Sequence, residues 1–117
     1  MLEKLERVSY LYDIYGLFLT PKQQHALRLY YFDNLSLGEI AEVQRISRQG
    51  VHDIVKRALQ SLETLEGAMK LYERYVYRKK KLSKMLEIIS ALELEMQGKE
   101  IDRLRKIVKD LFAENEN

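Results

Sequence analysis

Apolar residues recur every three or four positions along almost the whole chain, which is the spacing that collects them on one face of an α-helix. The first run lies near residues 3 to 19 and places these side chains on one face: Leu5, Val8, Tyr12, Tyr15 and Leu19. No run has the strict alternation of a half-buried strand. The pattern therefore predicts an all-α protein of about six helices, in which a helix-turn-helix precedes long amphipathic C-terminal helices.

A second helix is marked by its capping residues. Thr20 is the predicted N-cap, and Pro21 takes the first helical position, where its missing N–H is no loss. Gln23, three places after the cap, completes a capping box. We expect this helix to end near Phe32, with Asp33 and Asn34 forming the exit turn.

Residues 36 to 58, SLGEIAEVQRISRQGVHDIVKRA, have the layout of a helix-turn-helix. Ser36 and Glu39 form a capping box for a first short helix, and Ser47 caps a second helix that opens with Arg48. About three residues remain for the turn, as the motif requires. The positions expected to face inward are Ile40, Ala41, Ile46, Val51, Ile54 and Val55.

The outer face of the second motif helix is polar and mainly basic. In a helix that lies in the major groove, N-terminal residues contact base edges and later basic residues contact phosphates. The predicted nucleic-acid-binding residues of this helix are Ser47, Arg48, Gln49, His52, Lys56 and Arg57. Gly50 weakens the helix by about 1 kcal/mol relative to Ala, or it allows the close approach of a backbone.

Two residues of the turn depart from the usual pattern. Gln44 stands where an aliphatic residue is common, so Val43 is expected to supply the apolar contact. Arg45 stands where glycine often adopts a left-handed conformation, which costs Arg roughly 1 kcal/mol. Asp53 on the reading helix would repel phosphates unless Arg57, at i+4, pairs with it.

Beyond residue 58 the chain carries three apolar stripes at helical spacing. They are Leu62, Leu65, Met69, Tyr72 and Val76; Leu82, Leu86, Ile89, Leu92 and Met96; and Ile101, Leu104, Val108 and Leu111. Gln97 and Gly98 interrupt the second stripe, and the recognition helix either continues into the first or kinks near Ser61 or Gly67. We divide the chain into a helix-turn-helix domain at 1–60 and a helical extension at 61–117. The stripes either fold back on the chain or pair with a second copy, and we favour a homodimer.

A basic cluster follows the first stripe, and tyrosines interleave with it. It comprises Arg74, Arg78, Lys79, Lys80, Lys81 and Lys84, with Tyr72, Tyr75 and Tyr77 nearby. We treat Arg78, Lys79, Lys80 and Lys81 as candidate phosphate-binding residues, with the tyrosines available to stack on unpaired bases. The alternative is a solvated helix surface, because helical wrapping spreads the charges over more than one face.

The composition of the chain excludes several kinds of catalytic and metal site. The chain has 117 residues, no Cys, one Pro and a net charge of +2. Disulfides, thiol catalysis and thiolate metal sites are excluded, and so weak a charge would not by itself hold nucleic acid. His25 and His52 have no metal-ligand spacing, and no glycine-rich phosphate loop is present. We expect no enzyme, no catalytic residue, no metal and no cofactor. The start of the chain lacks a signal-like apolar segment, and no stretch suffices to span a bilayer.

The run LTPKQQHALRLYYFDNLSLGEIAE followed by SRQGVHDIVKR resembles the YlxM family of small bacterial proteins, whose helix-turn-helix is similar to region 4 of sigma factors. The likeness covers about the first 70 residues. Residues that carry it include Thr20, Gln23, Ser36, Glu39, Ser47, Arg48, Gln49, Asp53, Lys56 and Arg57. Members of the family lie genetically beside signal recognition particle genes.

The resemblance implies a cytoplasmic regulator of that targeting pathway that binds DNA or the particle RNA through the helix-turn-helix. The alternative is a protein-interaction module that modulates the signal recognition particle GTPases without reading DNA. Binding to DNA, particle RNA or the GTPases would distinguish the two.

Overall fold

The computed structural model describes residues 2–95 and 98–116, and these residues are helical almost throughout. The α-helices are α1 (Leu2–Tyr15), α2 (Pro21–Leu27), α3 (Leu37–Gln44), α4 (Arg48–Met69), α5 (Leu71–Glu95) and α6 (Lys99–Glu116). A 3-10 turn covers Gly16–Phe18, and a π-helix covers Arg28–Phe32. No strand occurs in these residues, so the predicted all-α class is confirmed. None of the helices described is long and apolar enough to cross a membrane.

The chain divides into two compact units, an N-terminal unit of Met1–Tyr72 and a C-terminal unit of Glu73–Asn117. The boundary drawn from the sequence, after residue 60, lies inside α4 instead. That helix continues without a break through Ser61 and Gly67 and ends only at Lys70, which is left-handed with φ 55°. Of the two alternatives that the sequence left open, the helix therefore runs on into the first apolar stripe.

The core of the N-terminal unit is formed by α1 to α4. Its fully buried larger side chains are Leu11, Tyr15, Leu27, Ile40, Val51 and Leu62. Leu65 and Tyr72 pack against the same core. Part of the first apolar stripe beyond residue 58 is thus covered by the unit that contains the helix-turn-helix.

The first helix is shorter than predicted. It ends at Tyr15, and Leu19 is extended with ψ 153°. Leu5, expected on the buried face, is 38% exposed, whereas Leu11, which was not predicted to face inward, is buried. Leu19 and the α2 cap Thr20 are both extended, so a first helix that reaches residue 19 is excluded.

The predicted capping box of α2 is confirmed. The Thr20 hydroxyl accepts from the Gln23 backbone N–H at 3.2 Å, and the Gln23 side chain accepts from the Thr20 N–H at 3.0 Å. The helical segment ends at Phe32 as predicted, but its last five residues form a π-helix. The Asp33 N–H reaches the Arg28 carbonyl at 3.0 Å, and Asn34 then turns the chain with φ 56°.

A buried carboxylate lies at the junction of α4 and α5. Glu66 is only 6% exposed, and it accepts hydrogen bonds from the Tyr15 hydroxyl and the Tyr72 backbone N–H, both at 2.9 Å. The Tyr15 oxygen in turn accepts from the Leu71 N–H at 3.2 Å. Two free N–H groups of the first turn of α5 are therefore satisfied by side chains of the N-terminal unit.

The C-terminal unit is an antiparallel pair formed by α5 and α6. Its buried apolar residues include Leu82, Ile89 and Val108, and the partly buried side chains packed on them are Leu86, Ile101 and Phe112. Arg105 is paired with Glu93 across the two helices. Met96 and Gln97, assigned from the sequence to the end of the second stripe and its break, lie outside the described residues.

Candidate nucleic-acid interface

The helix-turn-helix is built as its caps predict. The Ser36 hydroxyl accepts from the Glu39 N–H, and the Glu39 carboxylate accepts from the Ser36 N–H, both at 3.1 Å. The backbone hydrogen bond from Ser36 is the main reason that the pKa of Glu39 is lowered. This box starts α3 at Leu37 and so places its C-terminal end at the turn.

The turn depends on a left-handed arginine. Arg45 has φ 57° and ψ 45°, and its N–H bonds to the Ala41 carbonyl. The Ile46 N–H also reaches the Ala41 carbonyl, at 3.1 Å, which completes the helix termination. Arg45 thus adopts the conformation that glycine has in other turns of this kind, and its exposed side chain brings a positive charge to the turn.

The expectation that Val43 supplies the apolar contact of the turn is wrong. Val43 is 53% exposed. Gln44 instead turns inward, where its Nε2 lies 3.5 Å from the Lys22 carbonyl. Its Oε1 is buried and has no hydrogen-bond partner within the part of the chain that the structure describes. The long side chain of Gln44 therefore fills the space that an aliphatic residue would occupy.

The recognition helix α4 begins at the predicted cap. The Ser47 hydroxyl accepts from the Gly50 N–H at 3.0 Å. A Cβ added at Gly50 would lie 3.1 Å from that hydroxyl, so the glycine leaves room for the cap. Val51 and Val55 are buried beneath the helix, with 0% and 6% exposure.

The predicted site residues of α4 are all exposed: Ser47, Arg48, Gln49, His52, Lys56 and Arg57. We call these six residues the polar row. Gln49, Lys56 and Arg57 point away from the buried Val51 and Val55. Arg48 precedes those two valines by three and seven positions, so it lies on their side of the helix, at its exposed N-terminal end.

Asp53 connects the side chains of this row. Its Oδ1 accepts a hydrogen bond from the Gln49 Nε2 at 3.1 Å and lies 3.7 Å from the His52 Nδ1. The partner expected from the sequence was Arg57, but the contacts described for Asp53 are to Gln49 and His52. Asp53 therefore orients the Gln49 side chain, a role that residue spacing alone did not reveal.

The basic cluster of α5 does not form one continuous surface. Arg78 donates to the Asn115 side chain at 2.7 Å. Lys79 lies over the Tyr75 ring and Lys81 over the Tyr77 ring, at 5.7 and 5.4 Å from the centroids. Lys80 is exposed on another side of the helix. The four predicted residues thus point in several directions, and two of the nearby tyrosines are already occupied by lysines.

Tyrosines of the N-terminal unit line a groove that the sequence did not predict. Tyr10, Tyr31 and Phe32, with Leu5 and Glu6, border a space of about 620 Å³. Burial raises the pKa of Tyr31. Clusters of three or more potential metal ligands are absent from the described residues.

Comparison with known proteins assigns the architecture to a family. Residues 2–109 match the model of the UPF0122 family, described as "Putative helix-turn-helix protein, YlxM / p13 like". The UPF0122 protein of Geobacillus kaustophilus is 41% identical over 109 residues, covering 89% of this chain and 99% of the relative.

Other members of the same family are similar to this chain over most of its length. A UPF0122 protein of Anoxybacillus flavithermus is 47% identical over 85 residues, which cover 73% of this chain and 77% of that protein. One from Bacillus velezensis is 44% identical over 94 residues, which cover 80% of this chain and 86% of that protein. The likeness therefore extends well beyond the helix-turn-helix, into the C-terminal unit.

Proposed function

We propose that this chain, which belongs to the UPF0122 family of YlxM/p13-like helix-turn-helix proteins, is a regulatory protein. It binds nucleic acid through α4. The observation that carries the proposal is the exposed polar row on α4, the helix that the buried Val51 and Val55 fix to the core. Such a row on the second helix of a helix-turn-helix suits entry into the major groove.

Within this row we assign different tasks to its two ends. Arg48 and Gln49 lie in the first turn of α4, beside the Ser47 cap, where a recognition helix contacts base edges. Lys56 and Arg57 lie two turns later, where basic side chains contact phosphates. An arginine that is bidentate to guanine contributes about 1–3 kcal/mol of discrimination.

Substitution of Arg48 tests the reading role. Arg48→Ala should relax sequence preference more than it weakens binding to random duplex DNA. Lys56→Ala should weaken all sequences to a similar extent, because a phosphate contact carries no base information. Lys109→Ala, an exposed lysine of α6, is the matched charge control. Equal losses for Arg48→Ala on selected and random DNA would leave only a phosphate contact.

We further propose that the basic residues of α5 add affinity for structured RNA without specificity. The supporting feature is the run of positive charges from Arg78 to Lys81. Each phosphate contact should release counterions and so steepen the dependence of binding on salt. The RNA that we favour is that of the signal recognition particle, a choice that rests on the family resemblance.

The triple variant Lys79→Gln, Lys80→Gln and Lys81→Gln should flatten the salt slope and weaken all RNA sequences alike. The helix should survive because Gln is a good helix former. The matched control changes three exposed lysines of α6 in the same way: Lys99, Lys106 and Lys109. If both triple variants reduce affinity equally, net charge alone accounts for binding. If neither does, the cluster is a solvated surface.

The second candidate is a protein-interaction module that modulates the signal recognition particle GTPases. The tyrosine-lined groove between Tyr10 and Phe32 favours it, since aromatic residues are enriched at protein interfaces. Titration of duplex DNA, particle RNA and the GTPases at two salt concentrations separates the candidates. We place either activity in the cytoplasm, in a homodimer of this chain.

A further inference from the structure

The C-terminal unit leaves one side of its helix pair apolar and uncovered. On α5, Met85, Ile88 and Leu92 are 42%, 55% and 39% exposed. On α6, Leu104, Ile107 and Leu111 are 42%, 56% and 44% exposed. We call these six side chains the hairpin face. Each row has the spacing i, i+3, i+7 of a helix that packs against another helix.

Both rows of the hairpin face lie on the same side of the pair. Each row follows a buried one by three positions, as Met85 follows Leu82 and Leu111 follows Val108. Three residues turn an α-helix by about 60° short of a full revolution. The two helices run antiparallel, because the contacts pair Tyr75 with Asn115 near one end and Glu93 with Arg105 near the other. In antiparallel helices that equal rotation moves both rows toward one side.

We propose that a second copy of this chain covers the hairpin face, so that two α5–α6 pairs form a four-helix bundle. This inference rests on the proposal that the protein acts as a homodimer, and it specifies the surface. Six half-exposed large side chains present an apolar patch on the order of 400 Å², comparable to the largest patches of typical monomers. Two such faces with their polar borders bury roughly 1,000 Å², the lower limit for a specific interface.

Two two-fold axes can bring two hairpin faces together. An axis perpendicular to the helices stacks α5 on the α5 of the second copy, and an axis parallel to the helices stacks α5 on its α6. Charges of both signs border each end of the face: Arg78, Lys81 and Glu114 surround a groove of about 530 Å³ at the end where α5 begins, and Glu95, Lys99 and Glu100 are exposed at the other end. Both axes therefore place charges of opposite sign near one another across the interface.

Both axes also match the apolar side chains. The parallel axis places Ile88 opposite Ile107 of the partner subunit. The perpendicular axis passes near Ile88 and Ile107, the middle members of the two rows. Met85 then lies opposite Leu92 of the partner subunit, and Leu104 lies opposite Leu111 of the partner subunit. Ile88 packs on its own equivalent, as an interface with two-fold symmetry requires at the axis.

The oligomeric state tests the surface. Multi-angle light scattering of the full chain at micromolar concentration should give a dimer. Ile88→Glu with Ile107→Glu should give a folded monomer, because both side chains are exposed in the single chain. Leu94→Glu is the matched control, since Leu94 is 90% exposed on the same helix but about 120° away from Ile88. This control should remain dimeric, with unchanged helical circular dichroism.

A monomeric wild type would overturn the homodimer itself and would leave the face to a different partner or to none. A wild-type dimer that persists in the double variant, or that is lost equally in Leu94→Glu, would overturn only this surface. None of these outcomes depends on nucleic-acid binding, so the two proposals fail separately.

Disulfide trapping tests the direction and does not require the double variant to fold. The chain has no native cysteine, so an introduced thiol is the only one. Ile88→Cys alone should oxidise to a covalent dimer if the axis is perpendicular to the helices, and a mixture of Ile88→Cys and Ile107→Cys chains should do so if the axis is parallel to them. Lys81→Cys alone is the control, because with the perpendicular axis two such residues lie about 21 Å apart along the helices, beyond the reach of a disulfide. A covalent dimer from Lys81→Cys, or none from the Ile88 and Ile107 variants, would overturn the proposed surface.

Discussion

Replacing Tyr15 by Phe should lower the free energy of unfolding of the N-terminal unit far more than the same replacement at an exposed tyrosine would. Tyr15 is 1% exposed, and its oxygen both donates to Glu66 and accepts from the Leu71 N–H. A hydrogen bond to a charged group contributes about 1.5–3 kcal/mol, and a neutral one about 0.5–1.5 kcal/mol. Because Glu66 is only 6% exposed, water has little access to replace the two hydrogen bonds of the Tyr15 hydroxyl. The sum predicts a loss of about 2–4.5 kcal/mol.

Urea unfolding, followed by circular dichroism, measures this loss as a lower transition midpoint at unchanged slope. For a unit of this size, each 1 kcal/mol lowers Tm by roughly 4–8 °C, so the variant should also melt at least 8 °C earlier. Tyr12→Phe is the matched control. Tyr12 is partly buried, and its ring packs edge-on against Phe32 with centroids 5.5 Å apart. Its variant should change stability by less than about 0.5 kcal/mol.

Glu66→Gln completes a double-mutant cycle with Tyr15→Phe. The amide keeps an acceptor for the Tyr72 N–H but lacks the charge, so the double variant should lose less than the sum of the single losses, by about 0.5–3 kcal/mol. If Tyr15→Phe matched wild-type stability within about 0.5 kcal/mol, the hydrogen bonds at this junction would contribute nothing net. Additive losses would show that the two side chains act independently.

Two further predictions concern α4 and its contact with α1. Gly67→Ala should stabilise the protein by about 0.5–1 kcal/mol in thermal unfolding, since an added Cβ meets nothing within 4 Å. Gly50→Ala should stabilise it less, because the added Cβ would lie 3.1 Å from the Ser47 hydroxyl. Arg7→Gln should cost at most about 1 kcal/mol at neutral pH, because its bidentate pair with Glu63, at 2.8 and 2.9 Å, is largely exposed. The hydrogen bond from Arg7 lowers the pKa of Glu63. The pair therefore stabilises the protein at pH values above the pKa that Glu63 has in the unfolded chain. In an acid titration this contribution should vanish as the pH falls through the lower pKa that Glu63 has in the folded protein.

Features that depend on a few neighbouring residues could be predicted from the sequence. The capping boxes at Thr20 and Ser36, the cap at Ser47 and the left-handed Arg45 are all present. Each depends on hydrogen bonds that a side chain makes within three or four residues, so residue type and spacing are enough to specify it.

Features that depend on distant parts of the chain could not be predicted in the same way. The spacing that places Leu5 on a helical face is real, but burial requires a partner, and Leu5 remains 38% exposed. The sequence left Leu62 and Leu65 available to pair with a second chain, but Leu62 belongs to the core of the N-terminal unit and Leu65 packs against it. Glu66 carried no local signal, because its partner Tyr15 is 51 residues away.

The orientation of Gln49 shows how much of the proposed base-contacting surface is fixed within the protein itself. Asp53 accepts one N–H of the Gln49 amide and so limits the freedom of that side chain. The amide still has its oxygen and its second N–H, which are the groups that a bidentate contact with adenine needs. The carboxylate that looked unfavourable for binding DNA is thus compatible with base reading, since it reduces the conformational entropy that Gln49 would lose on contact with a base.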